Sequence, residues 1–149
     1  MKDKAIAVAG IAIVSVIIAW YTTSTHIHKS FIFNGVNYKF TSVALTQQQQ
    51  EQGLMNSSVN QSTFELFVFP SPAIYPFWMK DTYSPLDIIW INQSTVVFIT
   101  NATPCVSYSK DQSNCTVYVP SKPSNYVIEA AAGFVNRTGM HIGSQVQIN

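Results

Sequence analysis

A chain of 149 residues, 47% of them hydrophobic, has the length and apolar content of one packed domain. Only 10% of its residues are charged and the net charge is +1, so no basic face exists for a nucleic-acid backbone and no nucleic-acid partner is expected. Part of the apolar content lies outside any globular core.

Residues 5–21 read AIAVAGIAIVSVIIAWY, without a charge. About 17 residues at 1.5 Å rise cover roughly 25 Å, the short end of what crosses a bilayer. Lys2 and Lys4 precede the segment, and Trp20 and Tyr21 close it where interfacial aromatics belong. This predicts a cytoplasmic tip at 1–4, a single-pass anchor in membrane lipid at 5–21, and everything after about residue 22 outside the cell. A cleaved secretory signal is the rival, but bulky Ile18, Trp20 and Tyr21 do not make a small-x-small site. A third reading takes Lys4-Ala5-Ile6 as an archaeal pilin-type processing site, whose cleavage would free a helix able to pack into a filament core.

Residues 22–30 form a polar stalk with His26 and His28, which could hold a metal but read more simply as linker, and no metal is expected. The outer domain spans 31–149. Its first segment, FIFNGVNYKF (31–40), places Asn34-Gly35 between two β-rich runs, the mark of a type I′ hairpin. Thr46 and Gln49 have capping-box spacing, and Gly53 suits the left-handed end of a short helix. FELFVF (64–69) reads as a strand covered on both sides and stopped by Pro70 and Pro72.

In an extended 77–81, Phe77, Met79 and Asp81 face one way and Trp78 and Lys80 the other. Pro85 precedes a strand at 86–91, with Leu86, Ile88 and Trp90 on one face and Asp87, Ile89 and Ile91 on the opposite one. Asn92-Gln93-Ser94 turns the chain into TVVFIT. NYVIEA (125–130) is a strand carrying Glu129, AAGFVNRTG holds a helical turn or two ended by Gly139, and a last strand follows Gly143. The expected fold is a β-rich α+β domain. It would be a small barrel or a strongly twisted antiparallel sheet with one or two short helices, preceded by the transmembrane helix.

Cys105 and Cys115 flank a short polar loop, and an even cysteine count in an exported domain favours a disulfide. Metal ligation is the alternative, though no further cysteine or histidine stands near to complete a set of four. Six Asn-x-Ser/Thr sequons, at Asn56, Asn60, Asn92, Asn101, Asn114 and Asn136, fit a glycosylated exterior domain. Polar loops without sugar are the other reading.

QGLM (52–55), LFVFP (66–70), FWMKDT (77–82), SPLDIIWI (84–91), the two-cysteine loop, YVIEAAAG (126–133) and GMHIG (139–143) occur in this order. Together they resemble the uncharacterised domain of unknown function family 192, found in bacteria and archaea, over about residues 33–148. The resemblance implies a compact β-rich fold, frequently exported or anchored, here as an archaeal-type membrane-anchored member, with no established activity and no cofactor. The family usually has Asn where Asp81 stands, Arg where Ser57 stands, and Gly-Asp where Gly143-Ser144 stands.

The polar residues inside these motifs are Lys80, Asp81, Thr82, Asp87 and Glu129. A functional reading makes Asp87 and Glu129 the acid and base of an envelope glycan hydrolase, with Trp78 as a stacking platform for a sugar and Lys80 and Asp81 beside it as ligand contacts. A structural reading has Asp87 accept backbone N–H bonds at its turn, Lys80 pair with Asp87 or Glu129 across strands, and Trp78 and Met79 join the core. No nucleophile elbow, phosphate loop or paired-histidine motif is present. The expectation is a non-catalytic envelope module that binds a surface glycan or an envelope protein, with the hydrolase and the pilin-like subunit as alternatives.

Overall fold

The computed structural model describes residues 28–106 and 115–149. The predicted anchor at 5–21, His26, the Lys4-Ala5-Ile6 site and the Asn114 sequon therefore lie outside the described residues. Among the described residues, no helix is long and apolar enough to cross a membrane.

β1 (Ser30–Phe33) and β2 (Val36–Lys39) form the predicted hairpin, with φ of 49° at Asn34 and 76° at Gly35, as a type I′ turn demands. β10 (Gln147–Ile148) pairs with the other side of β1, giving a three-stranded sheet of order β10-β1-β2. Lys29 joins it, donating its backbone N–H to the Asn149 carbonyl at 2.7 Å.

The main sheet has five strands: β3 (Ser42–Ala44), β4 (Phe64–Ala73), β6 (Leu86–Asn92), β7 (Thr95–Ala102) and β9 (Ser124–Ala131), in the order β3-β4-β9-β6-β7. β3 and β4 are parallel and the other pairs antiparallel. Parallel neighbours need a crossover, and α1 (Gln47–Gln52) provides it between them. The barrel expectation is corrected here: the sheet is open, with β3 and β7 at its edges. The reason is burial. β6 is buried along both faces, so it needs cover on each side, whereas the outer wall of a barrel would leave half of those side chains wet.

Ile89, Ile91, Ile128, Leu66 and Phe64 pack with Phe31 and Phe33 of the hairpin and with Phe134 of α2 (Phe134–Thr138). On the opposite face, Leu86, Ile88, Trp90, Val127 and Phe67 pack with Leu54 and Met79. Above that second face lies a two-stranded ribbon, β5 (Phe77–Trp78) with β8 (Val117–Tyr118). The disulfide expectation holds: Cys105 and Cys115 are bonded, with Cα atoms 5.7 Å apart, and the bond ties the segment before the ribbon's second strand.

Two local expectations are corrected. β4 is not stopped by Pro70 but runs to Ala73, its register with β9 shifting between Val68 and Ala73 where exposed Pro70 and Pro72 have no N–H to donate. The capping box of Thr46 and Gln49 forms, yet Gly53 ends α1 at φ 45°, ψ −140° rather than in the left-handed helical region. That conformation bends the chain sharply over the second face of the sheet.

Candidate functional site

Strand register builds the site. β4 and β9 set Glu65 directly opposite Glu129, with Ser42 beside Glu65 on β3 and Ile88 beside Glu129 on β6. Because side chains alternate along a strand, both glutamates share the face of Phe67 and Val127, under the turn that follows α1. Glu65 is 5% and Glu129 4% exposed. Ser42 hydrogen-bonds Glu65 and the Leu54 backbone N–H donates to Glu129. The Oε2 atom of each glutamate is buried with no hydrogen-bond partner.

Burial, and then the neighbouring charge of Glu65, push the Glu129 carboxyl up to about 8. Burial likewise pushes Glu65 up to about 7, against the Ser42 hydrogen bond. The pair therefore retains a proton at neutral pH. A Cβ at position 53 would stand 3.3 Å from Phe67 Cζ and 3.6 Å from Glu129 Oε2, so the glycine leaves a narrow space above that oxygen. The space, about 20 Å³, is a crevice walled by Gly53, Leu54, Thr82, Phe67, Phe77 and Trp78. Gln50, Glu51, Phe77 and Trp78 also line a neighbouring groove of about 210 Å³, completed by Gln47, Phe69, Tyr75 and Pro76.

That groove is aromatic and amide-rich. Trp78 is 43% exposed, which corrects its placement in the core, whereas Met79 is fully buried as expected. Phe69 and Tyr75 stack with centroids 3.6 Å apart, and Trp90 Nε1 holds the segment by donating to the Tyr75 carbonyl at 2.9 Å. Gln50 Nε2 donates to the Val68 carbonyl and Gln47 Nε2 to Glu51 Oε1, both at 2.8 Å, which orients these amides along the rim.

Asp87 is elsewhere. One residue from Ile88 in register, it projects from the opposite face of the sheet and is 4% exposed. Its Oδ1 accepts from Asn101 Nδ2 at 3.0 Å and its Oδ2 from the Val135 backbone N–H at 2.9 Å. It thus caps the first turn of α2, where Gly133 supplies no side chain to do so, rather than its own turn after Pro85. Asp87 and Glu129 do not meet, so they cannot act on one bond. The cross-strand pairing expected of Lys80 is corrected as well: its ammonium lies 5.5 Å from the centroid of the Trp78 ring. Both Asp87 oxygens are taken by other donors, and Glu129 Oε2 is bare.

Asp81 has φ 50° and serves a turn, its N–H donating to Cys105 and its carbonyl accepting from Asn56 N–H. Asn and Asp both tolerate that backbone, so the substitution at 81 keeps the turn. Ser144 Oγ accepts from His141 N–H at 3.0 Å, which closes the Gly143-Ser144 turn without the acid the family usually has there. Thr82 is buried, its hydroxyl on the Lys80 carbonyl. His28 packs edge-on against Tyr126.

Of the sequon asparagines, Asn56, Asn60 and Asn136 are exposed. Asn101 is exposed but holds Asp87. Asn92 pairs with Thr95 beside the Gln93-Ser94 turn, and its Oδ1 is buried. Glu65, Gln47, Gln50 and Tyr75 were not picked out from the sequence. Glu65 left a signal there, a carboxylate in the middle of FELFVF, a strand whose pattern says both faces are covered.

The three-layer β-rich fold and the turn motifs around Gly53, Asp81 and Asp87 define a recognisable class. The chain belongs to the domain of unknown function family DUF192, described as Uncharacterized ACR, whose pattern matches residues 34–148. Among solved structures it is similar to a candidate transcription regulator of Sinorhizobium meliloti 1021, with 31% identity, TM-score 0.65, and 80% of this chain and 90% of that one covered. It is also similar to a protein of unknown function from Novosphingobium aromaticivorans DSM 12444, with 28% identity, TM-score 0.64, and 79% and 81% covered. No curated protein matches the chain.

Proposed function

We propose that this chain is the extracytoplasmic head of a membrane-anchored, glycosylated envelope protein, and that its Trp78 groove binds a cell-envelope saccharide without cleaving it. The observation that carries the reading is the exposed Trp78 ring beside Tyr75, Gln47, Gln50 and Glu51 in one groove. An aromatic face packs on the apolar side of a sugar ring while amides and carboxylates serve its hydroxyls. The apolar leader at 5–21, the paired cysteines and the sequons support the exterior placement.

The hydrolase reading is disfavoured because Asp87 and Glu129 project from opposite faces of the sheet. Intrinsic tryptophan fluorescence, followed while envelope saccharide fragments are titrated in, tests the groove. Trp78→Ala is expected to weaken binding at least about tenfold, roughly 1.4 kcal/mol, while the melting temperature stays near that of the parent. Undiminished affinity in Trp78→Ala would place the ligand elsewhere. Intact-mass spectrometry of the native protein checks the anchor and sugars: a retained Met1 and hexose-bearing Asn56, Asn60 or Asn136 are expected, and a mature start at Ala5 or Ile6 would favour the filament subunit.

A further inference from the structure

We propose that Glu129, backed by Glu65, is the subsite for a primary ammonium group, so that the saccharide taken by the Trp78 groove carries a free amine. This deepens the carbohydrate reading of that groove and rests on it.

Four observations converge. First, Glu129 is more than nine-tenths buried and its Oε2 has no partner, although buried oxygens in folded proteins ordinarily find a donor. Second, Glu129 lines a crevice of about 20 Å³, room for one water-sized group, and Gly53 puts no Cβ over its buried Oε2. An ammonium fits this space and an acetamido group does not. Third, the walls include Phe67, Phe77 and Trp78, and aromatic rings attract a cation once it is desolvated. Fourth, the crevice shares Gln50, Glu51, Phe77 and Trp78 with the groove, so a sugar stacked outside can reach in with a substituent, past a second carboxylate at the rim. A divalent metal fits worse, since among the described residues no group of three or more His, Cys, Asp or Glu converges.

The proton balance is explicit. Without ligand, Glu129 holds a proton at neutral pH. An arriving ammonium favours the carboxylate, so Glu129 gives its proton to solvent and an ion pair replaces a neutral acid, with no covalent change. Glu65, directly opposite on β4 and raised by burial to about 7, is itself mostly protonated at pH 6.5 before the ligand arrives.

Isothermal titration of the full chain at about pH 6.5 tests this with two probes, a glucosamine tetramer and an N-acetylglucosamine tetramer of equal length. The free-amine oligomer is expected to bind at least about tenfold more tightly, with a buffer-dependent enthalpy that reports release of up to about one proton per ligand. Glu129→Gln is expected to bring the two oligomers to the same affinity and abolish the proton release. Should that variant fail to fold, the carbon-13 shift of the Glu129 carboxyl in the unsubstituted chain is read instead, and ionisation on adding the amine is expected. Equal binding of both oligomers, a preference that survives Glu129→Gln, or a carboxyl that stays protonated overturns the amine subsite and leaves the groove intact. If neither oligomer binds, or Trp78→Ala leaves binding untouched, the groove reading fails together with it.

Discussion

Asp87 and Glu129 stand one step apart in the register of neighbouring strands, and each is 4% exposed, yet the two faces of the sheet treat them in opposite ways. On the hairpin face, Asp87 has a donor for each oxygen and spends both on holding Asn101 and the start of α2. On the ribbon face, Glu129 faces a second acid and keeps an oxygen bare under a glycine. Burial alone therefore does not tell a structural carboxylate from an available one. Hydrogen-bond saturation does, because a saturated carboxylate stabilises the fold through its charge, whereas an unsaturated one is tolerated mainly by holding a proton.

Among substitutions, the one with the largest expected effect on this contrast is Asp87→Ala. Two donors lose their acceptor, one of them the N–H of Val135 at a helix start, and a loss of about 3 kcal/mol in urea unfolding is expected. A loss below about 1 kcal/mol would mean that the two bonds contribute little and the contrast is false.

Next in size is the paired change of Cys105 and Cys115 to Ser. A bond closing a loop of sequence separation 10 stabilises by about 2.5 kcal/mol in the chain-entropy model. The effect should be one-sided, since Lys80 and Thr82 bridge to Cys105 on the ribbon face. Hydrogen exchange is expected to quicken at residues 78–82 and to stay unchanged in α2; equal acceleration on both faces would show that the layers unfold as one.

The third test is pH. Both glutamates have folded values, about 7 and about 8, above the ordinary 4.5, so between roughly pH 4.5 and 8 the folded state binds more protons than the unfolded one. Stability therefore falls as pH rises through that window, by at most about 1.4 kcal/mol per pH unit for each group, and levels off above it. Glu129→Gln should flatten the slope and make the protein more stable than its parent near pH 8. A parent whose melting temperature is level from about pH 5 to 8 would show that the pair is not protonated.

Much of the local structure was legible in the residues. Asn34-Gly35 announces its hairpin because few pairs accept two positive φ angles, and Thr46 with Gln49 announces a helix start because the reciprocal bonds need only local geometry. The alternation of Leu86, Ile88 and Trp90 against Asp87, Ile89 and Ile91 sorts them into the two cores that the structure contains. The Asp87–Glu129 pairing was plausible only while register was unknown, since one residue of offset sends a side chain to the other face. Glu65 escaped notice because its meaning depends on the strand opposite, which lies more than sixty residues away in the chain.

By itself the sequence determined most element types, the Asn34-Gly35 hairpin turn and the family, because these depend on neighbours a few residues apart and on short motifs. Only the tertiary structure decided that the sheet is open and covered on both faces, that Trp78 is exposed, and that Glu129 rather than Asp87 keeps an unpaired oxygen. Those outcomes follow from strand order and register, which are set by how the whole chain buries its apolar surface, and no local pattern specifies them.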